Sequence, residues 1–244
     1  MLGLDWQYDA IEVTGQTLRD FIECRTQEWR GLSLTMPLKR DVLPLLDSWD
    51  DAVALTGVAN TVLFDQETRG FNTDIYGIVE AFRANGVQRL TRVTILGGGA
   101  TAASAMVAAH ELGATSVELR LRHPMKVGLL QSLAQDLDVE LTIDTLEANV
   151  PTVPDAVIST LPGHSEHSLQ FAEPIRQGAV LFDVAYDPWP SALASTWLGT
   201  VISGLEMLTL QALAQVRIFV NGDPASELDN EAAVLAAMKA AVAL

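Results

Sequence analysis

A chain of 244 residues, 49% of them apolar, is long enough to bury one large core or two small ones, which excludes general disorder. Its formal charge of -16 repels phosphate polymers and so argues against nucleic acid or an anionic membrane as a partner, while leaving room for a small phosphate-bearing ligand held by local donors. The single cysteine, Cys24, excludes an internal disulfide. No apolar run reaches the roughly 18 residues of a spanning helix and no leader is visible, so the expectation is a soluble, cytoplasmic protein, monomer or homodimer, without membrane or metal.

In chain order, WQYDAIEV reads as an early strand, and LRDFIECRTQEW as a helix with Leu18, Phe21, Ile22 and Trp29 near one stripe. An extended run before Pro37 presents Ser33 and Thr35 on one side, and Pro37 fits the first turn of a following helix carrying Lys39, one of only three lysines. ANTVLF is a strand that turns at Asp65 to Gly70, and IYGIVEAFRANG is a helix stopping at Gly86, with Asp74 as its cap.

From Val93 to Val184, strands (VTIL, VELRL, VELTI, DAVIST, AVLFDVA) alternate with helical segments, which predicts a parallel sheet with helices on both faces. Two helices, from Gly204 and from Glu227, close the chain. The expected organisation is α/β and two-lobed: a small α/β domain over residues 1–74, a Rossmann-like dinucleotide-binding domain over 75–203, and helices of 204–244 returning to the first.

The clearest local signal is Gly97-Gly98-Gly99-Ala100-Thr101-Ala102, a G-x-G-x-x-A turn directly after a strand and before an alanine-rich helix. A side chain at Gly97 would strain the turn, and one at Gly99 would hold the backbone off a pyrophosphate. At the end of the next strand, where an NAD site places an acid, stand Arg120, Arg122 and His123. A guanidinium there grips a 2'-phosphate, so the cofactor read from the residues is NADP, with Arg122 favoured and Arg120 on the same side by alternation. His164 and His167 are read as loop or helix-start residues.

Lys39, Asp74, the amides of Asn60 and Asn72, and the hydroxyls of Ser33 and Thr35 are suited to holding a polyol and moving a proton to its oxygen. With SLTMPLK, ANTV, FNTDIYG, LGGGATAA, VISTLPG, FDVAYDP and GLEMLTLQA in this order, the chain resembles the shikimate dehydrogenase family over almost its whole length. The resemblance implies Lys39 and Asp74 as catalytic pair. It implies Ser33, Thr35, Asn60, Tyr186 and Gln211 around shikimate or 3-dehydroshikimate. Ser159, Thr160, Leu161 and Gly204 then join the glycine turn, Ala100, Thr101 and the arginines at NADP.

The chain departs from the family in three respects: the similarity begins after the usual first strand and its S-x-S-P segment, Leu121 and His123 replace the residues flanking the family's clamp arginine, and Ser159 replaces an asparagine. A quinate or other cyclic hydroxy-acid dehydrogenase, and a dinucleotide-binding relative that has lost catalysis, are the competing readings.

Overall fold

The computed structural model describes residues 2–124, 127–148, 150, 152–162 and 169–242, so His164 and His167 lie outside the described residues. The chain divides into two compact units, one running to Thr73 and resuming at Gln211, the other Asp74–Leu210.

The first unit begins with α1 (Leu18–Glu23), β1 (Gly31–Ser33), α2 (Leu38–Asp41), β2 (Ser48–Trp49), α3 (Asp51–Thr56), β3 (Thr61–Phe64) and β4 (Thr68–Phe71). Its sheet runs β1-β3-β4-β2, antiparallel except for the β2–β4 pair. Because side chains alternate across a strand, β3 buries both faces: Val62 and Phe64 pack with Leu18, Ile22 and Leu38, whereas Leu63 turns to Phe71 and Ile218. Asp50 caps α3 by accepting from Val53 N at 2.8 Å, and the helix stops at Gly57 in the left-handed region.

Two expectations fail here. WQYDAIEV forms no strand: residues 2–14 have no regular structure and are mostly exposed. The apolar positions change parity between Tyr8 and Ile11, so neither side of an extended segment is uniformly apolar and no register can bury it. Trp29 is not on α1, which ends at Glu23; it meets Phe21 edge-on from the following loop, centroids 5.5 Å apart.

The second unit contains α4 (Asp74–Ala84), β5 (Arg92–Leu96), α5 (Ala100–Glu111), β6 (Ser116–Leu121), α6 (Gly128–Asp136), β7 (Glu140–Thr145), β8 (Ala156–Ser159), α7 (Glu173–Gly178), β9 (Val180–Asp183) and β10 (Val201–Ser203). Its six strands are all parallel, in the order β10-β9-β8-β5-β6-β7. The order reverses between β5 and β8, which opens a crevice at their carboxyl ends, where doubly wound sheets bind ligands. The alanines of α5 are buried from Ala102 to Ala109, so the helix packs against both α4 and β5. β10 carries no signal in the sequence, since three residues offer no alternation to read.

α8 (Gly204–Asn221) begins in the second unit and ends in the first, where α9 (Glu231–Ala241) packs Val234 with Leu213 and Leu228. The units therefore divide inside a continuous helix, between Leu210 and Gln211. Among the described residues no helix is long and apolar enough to cross a membrane.

Candidate functional site

In the first unit the polar residues converge on Asn60, which is buried at the mouth of β3. Thr73 N donates to Asn60 Oδ1 at 2.9 Å, and because a backbone N–H can only donate, this bond settles which end of the amide is oxygen. Thr61 Oγ1 donates to the same oxygen at 2.8 Å. Asn60 Nδ2 donates to Thr73 Oγ1 at 2.9 Å and to Gln211 Oε1 at 3.2 Å. Asn60 is thus the hub that ties β3, the end of β4 and α8 together.

Lys39 sits on α2, half-buried, and its carbonyl accepts from Ala59 N at 2.9 Å. The lysine backbone is therefore pinned to the residue beside Asn60. The turn before it closes through Leu38 N to Thr35 O at 2.9 Å, leaving Thr35 exposed. Ser33, the last residue of β1, donates to Gln215 Oε1 at 2.8 Å. A cavity of about 750 Å³ in this unit is bordered by Ser33, Thr35, Trp6, Trp29 and Phe219; its wall includes neither Lys39 nor Asn60. Gln215 is a residue the motifs did not assign. Its signal was the four-residue step from Gln211, which puts both amides on one helix face.

In the second unit the three glycines after β5 have three separate reasons. Gly97 has φ +103°, and a Cβ there would stand 2.5 Å from Thr160 Oγ1. A Cβ on Gly98 would stand 2.7 Å from Leu121 Cδ2. Gly99 is in ordinary extended backbone at the N-cap of α5, and a Cβ there would meet nothing within 4 Å. Gly99 brings no capping side chain, so the first N–H groups of α5, from Ala100 and Thr101 onward, and the dipole of a 12-residue helix serve that open space. Open space in front of a helix N-terminus, at the point where the strand order reverses, fits the pyrophosphate of a dinucleotide.

Across the crevice Thr160 N and Thr160 Oγ1 both donate to Leu96 O, at 2.9 and 2.8 Å, tying the β8 loop to the end of β5. Ser159 is buried at the end of β8, and Leu161 packs with Leu96 in the core.

The arginines separate. Arg120 is 2% exposed; it pairs with Glu118 at 2.8 Å and donates to the carbonyl of Ala148, while Glu118 accepts from Thr94 Oγ1 at 3.2 Å. This corrects the expectation that Arg120 contacts the cofactor: its guanidinium is committed inside the sheet. β6 ends at Leu121, so Arg122 lies past the ladder and is exposed, and strand alternation does not carry over to it.

Tyr186 is 48% exposed on the loop after β9. Asp183 closes that loop by accepting from Ala185 N at 3.1 Å and Ser191 Oγ at 2.5 Å. Gly204 opens α8 against the Val184 carbonyl, where a Cβ would also stand 3.0 Å from Ala185 O, so only glycine lets the helix start this close. Asp74 is buried and is the first residue within α4, not a cap ahead of it.

Comparison with known proteins agrees with this architecture. The family model described as the shikimate dehydrogenase substrate binding domain matches residues 1–62. The chain is similar to the shikimate dehydrogenase (NADP(+)) of Methanothermobacter thermautotrophicus, 31% identical over 245 residues that cover 95% of this chain and 86% of the relative. The crystal structure of Mycobacterium tuberculosis shikimate dehydrogenase is 33% identical with a TM-score of 0.80, covering 96% of this chain and 88% of that one. A shikimate 5-dehydrogenase structure from Mycobacterium fortuitum is 29% identical with a TM-score of 0.76, covering 96% of this chain and 86% of that one.

Proposed function

The chain belongs to the shikimate dehydrogenase family, and from that premise we propose that it catalyses the reversible reduction of 3-dehydroshikimate to shikimate with NADPH. The observation that carries the reading is the polar cluster of the first unit, which holds the Lys39 backbone beside Asn60 and joins Asn60 to Gln211. This is a frame for a polyhydroxylated ring, with the backbone of Lys39 at its edge. The first unit carries the substrate on this reading and the second the cofactor.

NADPH, when bound, supplies the hydride. Reduction of a ketone leaves negative charge on its oxygen, and the ammonium of Lys39 stabilises that charge and delivers the proton. Asp74, a carboxylate at a helix start, holds the lysine and a substrate hydroxyl in the reacting orientation. Ser33, Thr35, Asn60, Tyr186 and Gln211 shape the rest of the substrate site. The turn from Gly97 to Thr101 holds the pyrophosphate, Arg122 meets the 2'-phosphate, and Ser159, Thr160, Leu161 and Gly204 border the nicotinamide. NADP is supported by the similarity to the methanogen relative named for it and by the cationic, acid-free end of β6.

The test is Lys39→Ala. Removing a general acid costs about 10²–10⁴-fold in kcat, while NADPH affinity, measured by nucleotide fluorescence, stays at the wild-type value. Turnover unchanged by the substitution refutes the assigned role. A wild-type protein that does not consume NADPH with 3-dehydroshikimate refutes the activity itself.

A further inference from the structure

Gln215 lies one turn after Gln211 on α8 and is buried, and its amide orientation is decided by its neighbours. Gln215 Nε2 donates to the carbonyl of Asn60 at 3.3 Å, and that carbonyl also accepts from Leu34 N at 2.7 Å. A carbonyl can only accept, so the nitrogen of Gln215 must face it and the oxygen must face the other way. That oxygen meets Ser33 Oγ at 2.8 Å. An amide oxygen cannot donate, so the single hydroxyl proton of Ser33 is spent on Gln215. What Ser33 has left to offer a ligand is lone pairs alone.

We infer that Gln215 sets the polarity of Ser33, making it an acceptor that reads a hydrogen-bond donor on the substrate, a ring hydroxyl, and turns away groups that can only accept, such as a carboxylate or a carbonyl. Gln215 touches no substrate; it is a positioning residue, and the inference rests on the assignment of Ser33 to the substrate site. The chain of dependence runs from the Asn60 carbonyl through the Gln215 amide to the Ser33 hydroxyl, linking β3, α8 and β1. Neither β1 nor α8 alone contains the information, since Ser33 without Gln215 is free to donate or to accept.

The experiment measures binding of shikimate and of the analogues in which one ring hydroxyl at a time is replaced by fluorine, with NADP present. Fluorine is close to a hydroxyl in size but cannot donate. In the wild type one fluorinated position should lose about tenfold or more in affinity, the loss of a donor to a waiting acceptor. In Gln215→Met the Ser33 proton is released and can turn toward fluorine, so the discrimination at that same position shrinks several-fold; Ser33→Ala removes it as well. Discrimination at every position equal in wild type and Gln215→Met overturns the inference.

If the wild type binds no shikimate, the functional reading fails and the relay is read without ligand by NMR of the full chain. Ser33→Ala should then shift the side-chain carbonyl carbon of Gln215 and leave its amide protons protected. A shift of the amide protons alone would mean that Ser33 accepts from Gln215, and the inference falls.

Discussion

Replacing Gly97 and Gly99 one at a time with alanine separates the two uses of glycine in the turn after β5. At Gly97, with φ +103°, a Cβ costs about 1–2 kcal/mol of backbone strain. It also stands 2.5 Å from Thr160 Oγ1, whose 2.8 Å bond to Leu96 O must be displaced at a further cost of about 1 kcal/mol. Gly97→Ala should therefore destabilise the chain by about 2–3 kcal/mol, read as a lower urea midpoint at unchanged slope. At Gly99 the backbone is ordinary and a Cβ meets nothing within 4 Å, so Gly99→Ala should cost no more than about 1 kcal/mol, the difference between glycine and alanine at an N-cap. The same methyl group stands where a pyrophosphate approaches the first turn of α5, so NADPH affinity should fall by about tenfold or more. Urea melts and NADPH titration of both variants provide the comparison. Wild-type affinity in Gly99→Ala refutes the placement of the pyrophosphate, and a wild-type midpoint in Gly97→Ala refutes the strain argument.

The two arginines of the β6 region should part in the same pair of assays. Arg122→Ala should weaken NADPH with little effect on NADH or on the urea midpoint, whereas Arg120→Ala leaves the half-buried Glu118 without its cationic partner and should lower stability by about 1–3 kcal/mol. Equal effects of both on NADPH would contradict the separation. At the α8–α9 contact, hydrogen bonds from Arg217 and then from Leu228 N hold the Glu231 carboxyl below its ordinary value of 4.5. A depressed carboxyl stabilises the fold fully above the unfolded value, and that contribution disappears as pH falls through the lower folded one. The urea midpoint of the wild type should thus drop, as pH falls below the ordinary carboxylate value, by more than that of Glu231→Gln; identical pH dependence would show that the pair contributes nothing.

Local pattern was enough to locate much of this molecule. The helical spacing of Ile75, Ile78, Val79 and Phe82, the apolar strand before Gly97 and the alanine run after Gly99 each report a period or a turn contained within one element. The same is true of the parallel sheet as a class, because strands alternating with helices leave few other ways to bury both faces. WQYDAIEV failed because a strand exists only with a partner, and partial alternation over eight residues does not name one.

The sequence by itself determined the long helices and the strands of the parallel sheet other than β10, the glycine turn and the identity of the polar residues, since these follow from propensity and spacing along the chain. Tertiary structure alone decided what each polar group can still do. Arg120 and Arg122 are alike in sequence, yet one is sealed against Glu118 and the other lies beyond the strand end. Ser33 and Gln215 stand 182 residues apart and are joined by one hydrogen bond. Hydrogen-bonding capacity is finite, and only the fold determines which partner has already consumed it.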